Sequence, residues 1–166
     1  MDSYFKNIVL IGMPGSGKTT IGRQLADKLC IDFYDSDKYI EEAEGMSVQQ
    51  IFQNGEDAFR YLEHEAVKKI NENIPCVIAT GGGIVKNIEN IRFLKSNGII
   101  IFINRPLEDI ISDIDIGTRP LLKDNKENLY KIYEERIQLY KKYCDYEIIN
   151  NKSIDKIVKD IISIIK

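Results

Sequence analysis

The chain has 166 residues, enough for one domain with a real hydrophobic core and too few for a second of ordinary size. Hydrophobic residues make up 43% and charged residues 30%, which excludes an intrinsically disordered chain. With 23 Lys+Arg against 26 Asp+Glu the net charge is −3, so the broad basic footprint of a nucleic-acid or anionic-membrane binder is missing and any cationic site must be local.

Residues 8–11 are a short β-branched run, expected to form a strand buried on both faces, and a glycine-rich stretch and a helix over 19–29 follow it. A short strand at 33–34 leads into residues 35–73, which are helix-rich (48–52 and 57–73) and too long for a plain crossover. Strands are expected at 77–79 and 99–103, with helices at 88–97 and 107–114. Residues 115–128 are polar and broken by Gly117 and Pro120, and read as a loop of the kind that serves as a lid. A helix over 129–143, a strand at 147–149 and a helix over 154–165 complete the chain. In that last helix Ile154, Ile157, Val158, Ile161, Ile162 and Ile165 fall on one stripe, which marks a core-facing helix. The alternation of strands and helices predicts an α/β sheet covered on both faces.

Cys30, Cys76 and Cys144 form neither a disulfide framework nor a zinc pattern, and His64 is the one histidine, expected to be a solvated helical residue without a role. With no signal-peptide pattern and no apolar run near the ~20 residues of a membrane span, a reduced, cytoplasmic setting is expected.

The strongest motif is Gly12-Met13-Pro14-Gly15-Ser16-Gly17-Lys18-Thr19, which matches GxxxxGK(S/T) between a strand and a helix. Glycines let the backbone turn its N–H groups inward onto phosphate oxygens, and the helix N-terminus adds its dipole. Lys18 supplies a point charge for the β/γ-phosphates and Thr19 a hydroxyl for Mg²⁺. The strand at 77–79 ends in Thr80-Gly81-Gly82-Gly83 without a carboxylate, so the acid that partners the metal must come from elsewhere. Asp35-Ser36-Asp37 is the obvious supplier, which favours small-molecule kinases over motors and switches. In extended conformation Asp35 and Asp37 would project to one side, although Asp35 is equally suited to cap a helix beginning near Lys38. Arg60 and Arg136 by themselves are ordinary solvated helix arginines, and Gly81-Gly82-Gly83 invites a close approach of backbone to a ligand.

Six segments in order resemble one family, the shikimate kinases. Gly12 to Thr19 with Ile21-Gly22-Arg23-Gln24-Leu25-Ala26 is similar to its ATP loop, and Phe33-Tyr34-Asp35-Ser36-Asp37 to its acidic motif. Gly55-Glu56-Asp57-Ala58-Phe59-Arg60-Tyr61-Leu62-Glu63 resembles its G-E-x-x-F-R-x-x-E segment, and Ala79-Thr80-Gly81-Gly82-Gly83 its triple-glycine turn. Arg119-Pro120-Leu121-Leu122 resembles its lid, and Glu135-Arg136-Ile137-Gln138-Leu139-Tyr140 its E-R-x-x-x-Y stretch.

The resemblance implies a three-layer P-loop kinase fold, like the nucleoside monophosphate kinases, with a five-stranded parallel sheet of order 2-3-1-4-5. It implies a single domain spanning 1–166, with a core of 1–35, 74–112 and 129–166, a substrate-binding segment 36–73 and a lid 113–128. The implied reaction is Mg²⁺-dependent transfer of the ATP γ-phosphoryl to the 3-hydroxyl of shikimate. Gly15, Ser16, Gly17, Lys18, Thr19 and Thr20 would bind ATP, and Arg119 would close on its phosphates. Asp37, Arg60, Gly82 and Arg136 would bind shikimate; Lys18, Asp37 and Arg119 would be catalytic, and Thr19 and Asp35 would hold the metal. The partners expected are shikimate and ATP, with no nucleic acid and no membrane, for a monomer whose adenine contacts lie near residues 150–153. The lid departs from expectation in one respect: residues 113–117 (DIDIG) are acidic and apolar where basic residues would be expected. The competing readings are a gluconate or nucleoside monophosphate kinase on the same fold, and a catalytically silent nucleotide-binding module.

Overall fold

The structure, a computed structural model, describes residues 6–113 and 126–166. Five strands, β1 (Asn7–Ile11), β2 (Asp32–Asp35), β3 (Cys76–Ala79), β4 (Gly98–Asn104) and β5 (Tyr146–Ile149), pair in parallel in the order β2-β3-β1-β4-β5. The helices are α1 (Lys18–Leu29), α2 (Ser36–Glu44), α3 (Val48–Phe52), α4 (Glu56–Ile70), α5 (Ile88–Asn97), α6 (Leu107–Asp113), α7 (Lys126–Tyr143) and α8 (Ile154–Ile165), with a 3-10 turn at Ile84–Lys86. The sheet order and the strand–helix alternation are those expected from the sequence.

The period of two along the strands explains the layers. In β1, Ile8 and Leu10 point to a core shared with α1 and α8, where Ile21, Leu25, Ile157 and Ile161 are buried. Val9 and Ile11 point the other way, to a core built with α4, α5, α6 and α7 through Val67, Leu94, Ile110 and Tyr140. A third, small cluster of Ile40, Ile51, Phe59 and Ala66 ties α2, α3 and α4 together. That satellite core is why residues 36–70 exceed a simple crossover: the insertion packs on itself.

Element ends differ from the sequence reading for local reasons. Residues 36–44 form a full helix, because Asp35 caps it by accepting from the Lys38 N–H at 3.1 Å. Asp37 therefore lies in the first turn of α2, and the extended geometry expected for the Asp35–Asp37 pair does not occur. Of the expected lid, Asp113 ends α6 and Lys126, Glu127 and Asn128 belong to α7; the rest, 114–125 with Arg119, lies outside the described residues. Asn7 is a fully buried polar residue at the start of β1. Its Nδ2 donates to the Asn71 carbonyl at 3.0 Å, and its Oδ1 accepts from the Cys76 N–H at 3.0 Å. A buried amide at a strand end is tolerable only when its groups are paired in this way.

Among the described residues no helix is long and apolar enough to cross a membrane. Ile157 is fully buried on the α8 stripe. Ile157→Ala is expected to lower unfolding free energy by about 2–5 kcal/mol, the range for truncating a buried isoleucine to alanine, read from the midpoint of a urea titration.

Candidate active site

The registers set the site. Asp35 pairs with Ala79, and Ala79 with Leu10, so the ends of β2, β3 and β1 lie side by side. The Asp35–Ser36–Asp37 corner, the Thr80–Gly83 turn and the glycine loop thus emerge at one edge of the sheet, where open α/β sheets bind their ligands.

In the loop, Gly15 and Gly17 adopt φ of 81° and 97°, and Gly17 caps α1 in the left-handed region. A Cβ on Gly12 would lie 2.5 Å from the Ile103 carbonyl, so the loop can lie against β4 only without a side chain there. Lys18 is buried, its Nζ donating to the Gly12 and Met13 carbonyls at 2.8 Å each. Asn150 Nδ2 donates to the Ser16 carbonyl at 2.8 Å and Arg105 to the Gly15 carbonyl at 3.1 Å, and Arg105 also pairs with Asp113. Arg105 had no signal in the sequence, because its partner is 90 residues away.

A cavity of about 440 Å³ joins Gly15, Gly17, Lys18, Thr19 and Thr20 to Asp35, Asp37, Thr80, Gly81 and Gly82. A second of about 440 Å³, sharing Gly17 and Thr20 with the first, is lined by Arg105, Asp109, Asn150, Asn151 and Lys152. Thr19 Oγ1 donates to Asp35 Oδ2 at 2.6 Å, while Asp35 Oδ1 accepts from the α2 N-terminus. One carboxylate thus serves both as helix cap and as partner of the loop hydroxyl. These adjacent hard oxygens fit Mg²⁺, which favours one or two protein oxygens with water and phosphate making up the rest. Among the described residues there is no cluster of three His, Cys, Asp or Glu side chains able to hold a metal by itself.

The second half of the site is a set of buried ions. Arg136 is only 2% exposed, and its Nε and Nη1 are buried with no hydrogen-bond partner among the described residues. The neighbouring acids that could have paired with it along the helix do not. Arg60 donates to Glu63 at 2.9 Å and to Glu56 at 3.2 Å and packs over the Phe59 ring, so it is not a free surface arginine. Burial pulls the Arg60 pKa down, but Glu63 and Glu56 more than compensate and hold it above its ordinary value. Glu63 is 1% exposed. Burial pushes its carboxyl up to about 7 from 4.5; Arg60 and Arg136 pull it down and Asp37 pushes it further up. Arg60, Arg136 and Asp37 therefore converge on one buried carboxyl group, from α4, α7 and α2.

The triple glycine is explained by these side chains. A Cβ on Gly83 would lie 2.3 Å from the Arg60 guanidinium, one on Gly81 2.7 Å from Asp37 Oδ1, and one on Gly82 2.7 Å from the Pro14 ring. The backbone approach expected toward a ligand is first an approach to the protein's own ions. Tyr140 Oη, four residues after Arg136, donates to the Gly82 carbonyl at 2.6 Å and fastens the turn to α7. Glu63 and Tyr140 stand at i+3 and i+4 from Arg60 and Arg136, a helical spacing that marks both as neighbours of the arginines. His64 lies outside this site; its Nδ1 pairs with Asn90 Oδ1 at 2.7 Å and its ring edges onto Phe93, so it is not simply solvated.

The family model described as shikimate kinase matches residues 14–166. The chain belongs to the shikimate kinase family. A shikimate kinase of Clostridium botulinum (strain Alaska E43 / Type E3) is 48% identical over 158 residues, covering 95% of this chain and 96% of that one. The solved shikimate kinase from Acinetobacter baumannii in complex with shikimate superposes with a TM-score of 0.93 at 33% identity, covering 97% of this chain and 93% of that one. A gluconokinase from Sinorhizobium meliloti shares the fold, at a TM-score of 0.65 and 15% identity over 96% of this chain and 91% of that one. Membership makes this an ATP-using kinase on a P-loop scaffold.

The Glu63 environment has a pH signature. A carboxyl whose folded pKa is raised contributes most stability when protonated, and loses it as pH rises from the ordinary 4.5 through about 7. A Glu63→Gln variant does not titrate there. Its melting temperature relative to the parent is expected to climb between pH 5 and pH 8, and a difference that stays flat would show that Glu63 is not held protonated.

Proposed function

We propose that this chain phosphorylates shikimate, transferring the γ-phosphoryl group of ATP to the 3-hydroxyl and releasing shikimate 3-phosphate and ADP. The observation that carries the reading is the buried Arg136 guanidinium, two of whose nitrogens have no hydrogen-bond partner among the described residues and which shares the buried Glu63 with Arg60. A buried cation with open donors calls for an anion, and two guanidinium forks match a carboxylate in a way that lysine does not. Arg60, Arg136 and the Gly82 N–H are assigned to the shikimate carboxylate.

Asp37, which lines the same cavity as Lys18 and Thr19, is assigned to the ring hydroxyls and to the departing proton. In the transfer, the 3-oxygen forms a bond to the γ-phosphorus and the bond from that phosphorus to the β–γ bridging oxygen breaks. The hydroxyl proton passes to Asp37, and ADP leaves with the bridging oxygen. Phosphoryl transfer depends mainly on positioning and on neutralising charge. Gly15, Ser16, Gly17, Lys18, Thr19 and Thr20 hold the nucleotide phosphates, with Lys18 exchanging its loop carbonyls for phosphate oxygens. The cavity beside Arg105 and Asn150 is assigned to the nucleoside. Thr19 and Asp35 would hold Mg²⁺, which when bound neutralises phosphate charge. Arg119, which lies outside the described residues, is assigned to the transferring group. Residues 36–73 form the acceptor segment of a domain acting as a cytoplasmic monomer, since each role falls to one chain.

In a coupled assay ADP release is expected to depend on shikimate; equal turnover of gluconate or AMP would overturn the choice of acceptor, and no product at all would favour a silent nucleotide-binding module. Asp37→Asn is expected to lose at least about 100-fold in kcat while ATP still binds, the scale of losing a positioned proton acceptor. Arg60→Lys should raise the shikimate KM about tenfold with a smaller change in kcat, because the charge stays and the fork is lost. An unchanged KM would remove Arg60 from the clamp.

A further inference from the structure

Lys86 ends the 3-10 turn that follows the triple glycine, and none of the roles above uses it. Its Nζ donates to Glu56 Oε1 at 2.9 Å and lies 3.6 Å from Glu135 Oε1. Glu56 opens α4, and the same oxygen accepts from Arg60 Nε and Nη2 at 3.2 Å. Glu135 is the α7 residue immediately before Arg136. We propose that Lys86 is a positioning residue of the acceptor site, bridging the two arginine-bearing helices so that Arg60 and Arg136 face one anionic group. The proposal rests on the reading of that site as a carboxylate clamp.

Charge gives the reason such a bridge is needed. Arg60 already carries two carboxylates, Glu56 and Glu63. Without Lys86, Glu56 and Glu135 lose the cation they share, and their unbalanced charge opposes an acceptor that itself bears a carboxylate. Lys86 restores the balance at the carboxylate shared with Arg60. The Lys86 hydrogen bond is also the main cause holding the Glu56 carboxyl below its ordinary range. Geometry adds to charge. Tyr140 fastens α7 to the glycine turn at Gly82, and Lys86 extends the same turn to α4, so the bridge spans the elements that must converge on the substrate.

The pairs are exposed, with side-chain accessibilities of 32% for Lys86, 40% for Glu56 and 53% for Glu135, and exposed pairs contribute little to folding. A positioning role therefore separates cleanly from a structural one. Lys86→Met is expected to raise the shikimate KM roughly fivefold, the scale of coupling between contacting charges, with kcat and the ATP KM within about twofold and the melting temperature unmoved. Lys86→Arg should restore most of the KM, and in a Glu56→Gln background the Lys86→Met effect should vanish. Should Lys86→Met fail to fold, Lys86→Gln removes the same charge with a polar side chain and reads the same effect. An active parent whose variants keep the shikimate KM overturns the role of Lys86 alone, as does an arginine variant no better than methionine or an equal loss in kcat and both KM values. A parent inactive on shikimate overturns the clamp reading, and this proposal with it.

Discussion

Arg136 is an ion taken out of water, and the buried charges of α2, α4 and α7 are arranged around that fact. Removing a guanidinium from solvent costs several kcal/mol unless it is paired and hydrogen-bonded, and here two of its nitrogens have no such partner among the described residues. The nearby acid that could have neutralised it fully, Glu63, is committed to Arg60 through one oxygen and is itself pushed toward its protonated form by burial. On the reading proposed above, its open donors are kept for an anion in a place water reaches poorly. That would be preorganisation: the cost is met during folding, and the ligand receives the interaction.

The glycine turn follows from the same crowding. Three successive residues without side chains read as flexibility, yet the turn is confined between Arg60, Asp37 and Pro14, and Tyr140 holds its carbonyl. Flexibility of the isolated sequence becomes close packing in the fold. The phosphate loop uses its glycines differently, since Gly15 and Gly17 need positive φ to wrap the chain. Both sets of glycines border one cavity, which Lys18, Thr19, Asp35 and Asp37 also line.

Asp35 shows how one side chain can satisfy two readings that looked exclusive. As an N-cap it completes α2, and as an acceptor from Thr19 it faces the cradle. Its two oxygens allow both. The cap starts α2 at once, and the helical turn rather than strand alternation directs Asp37 into the cavity.

The parts of this protein that depend on contiguous residues were legible without coordinates. The β-branched runs, the isoleucine stripe of α8 and the GxxxxGKT loop each carry their own geometry, because spacing along a strand or helix decides which face a side chain takes. The pairing of six short segments with one family supplied the order of the sheet. What the chain could not state is solvation. Whether Arg60 and Arg136 sit in water or in a dry pocket, whether Glu63 holds a proton, and what lies against Gly83 or Gly15 depend on elements tens of residues apart in sequence. Desolvation is a property of everything packed around a group, and only the tertiary structure assembles those neighbours.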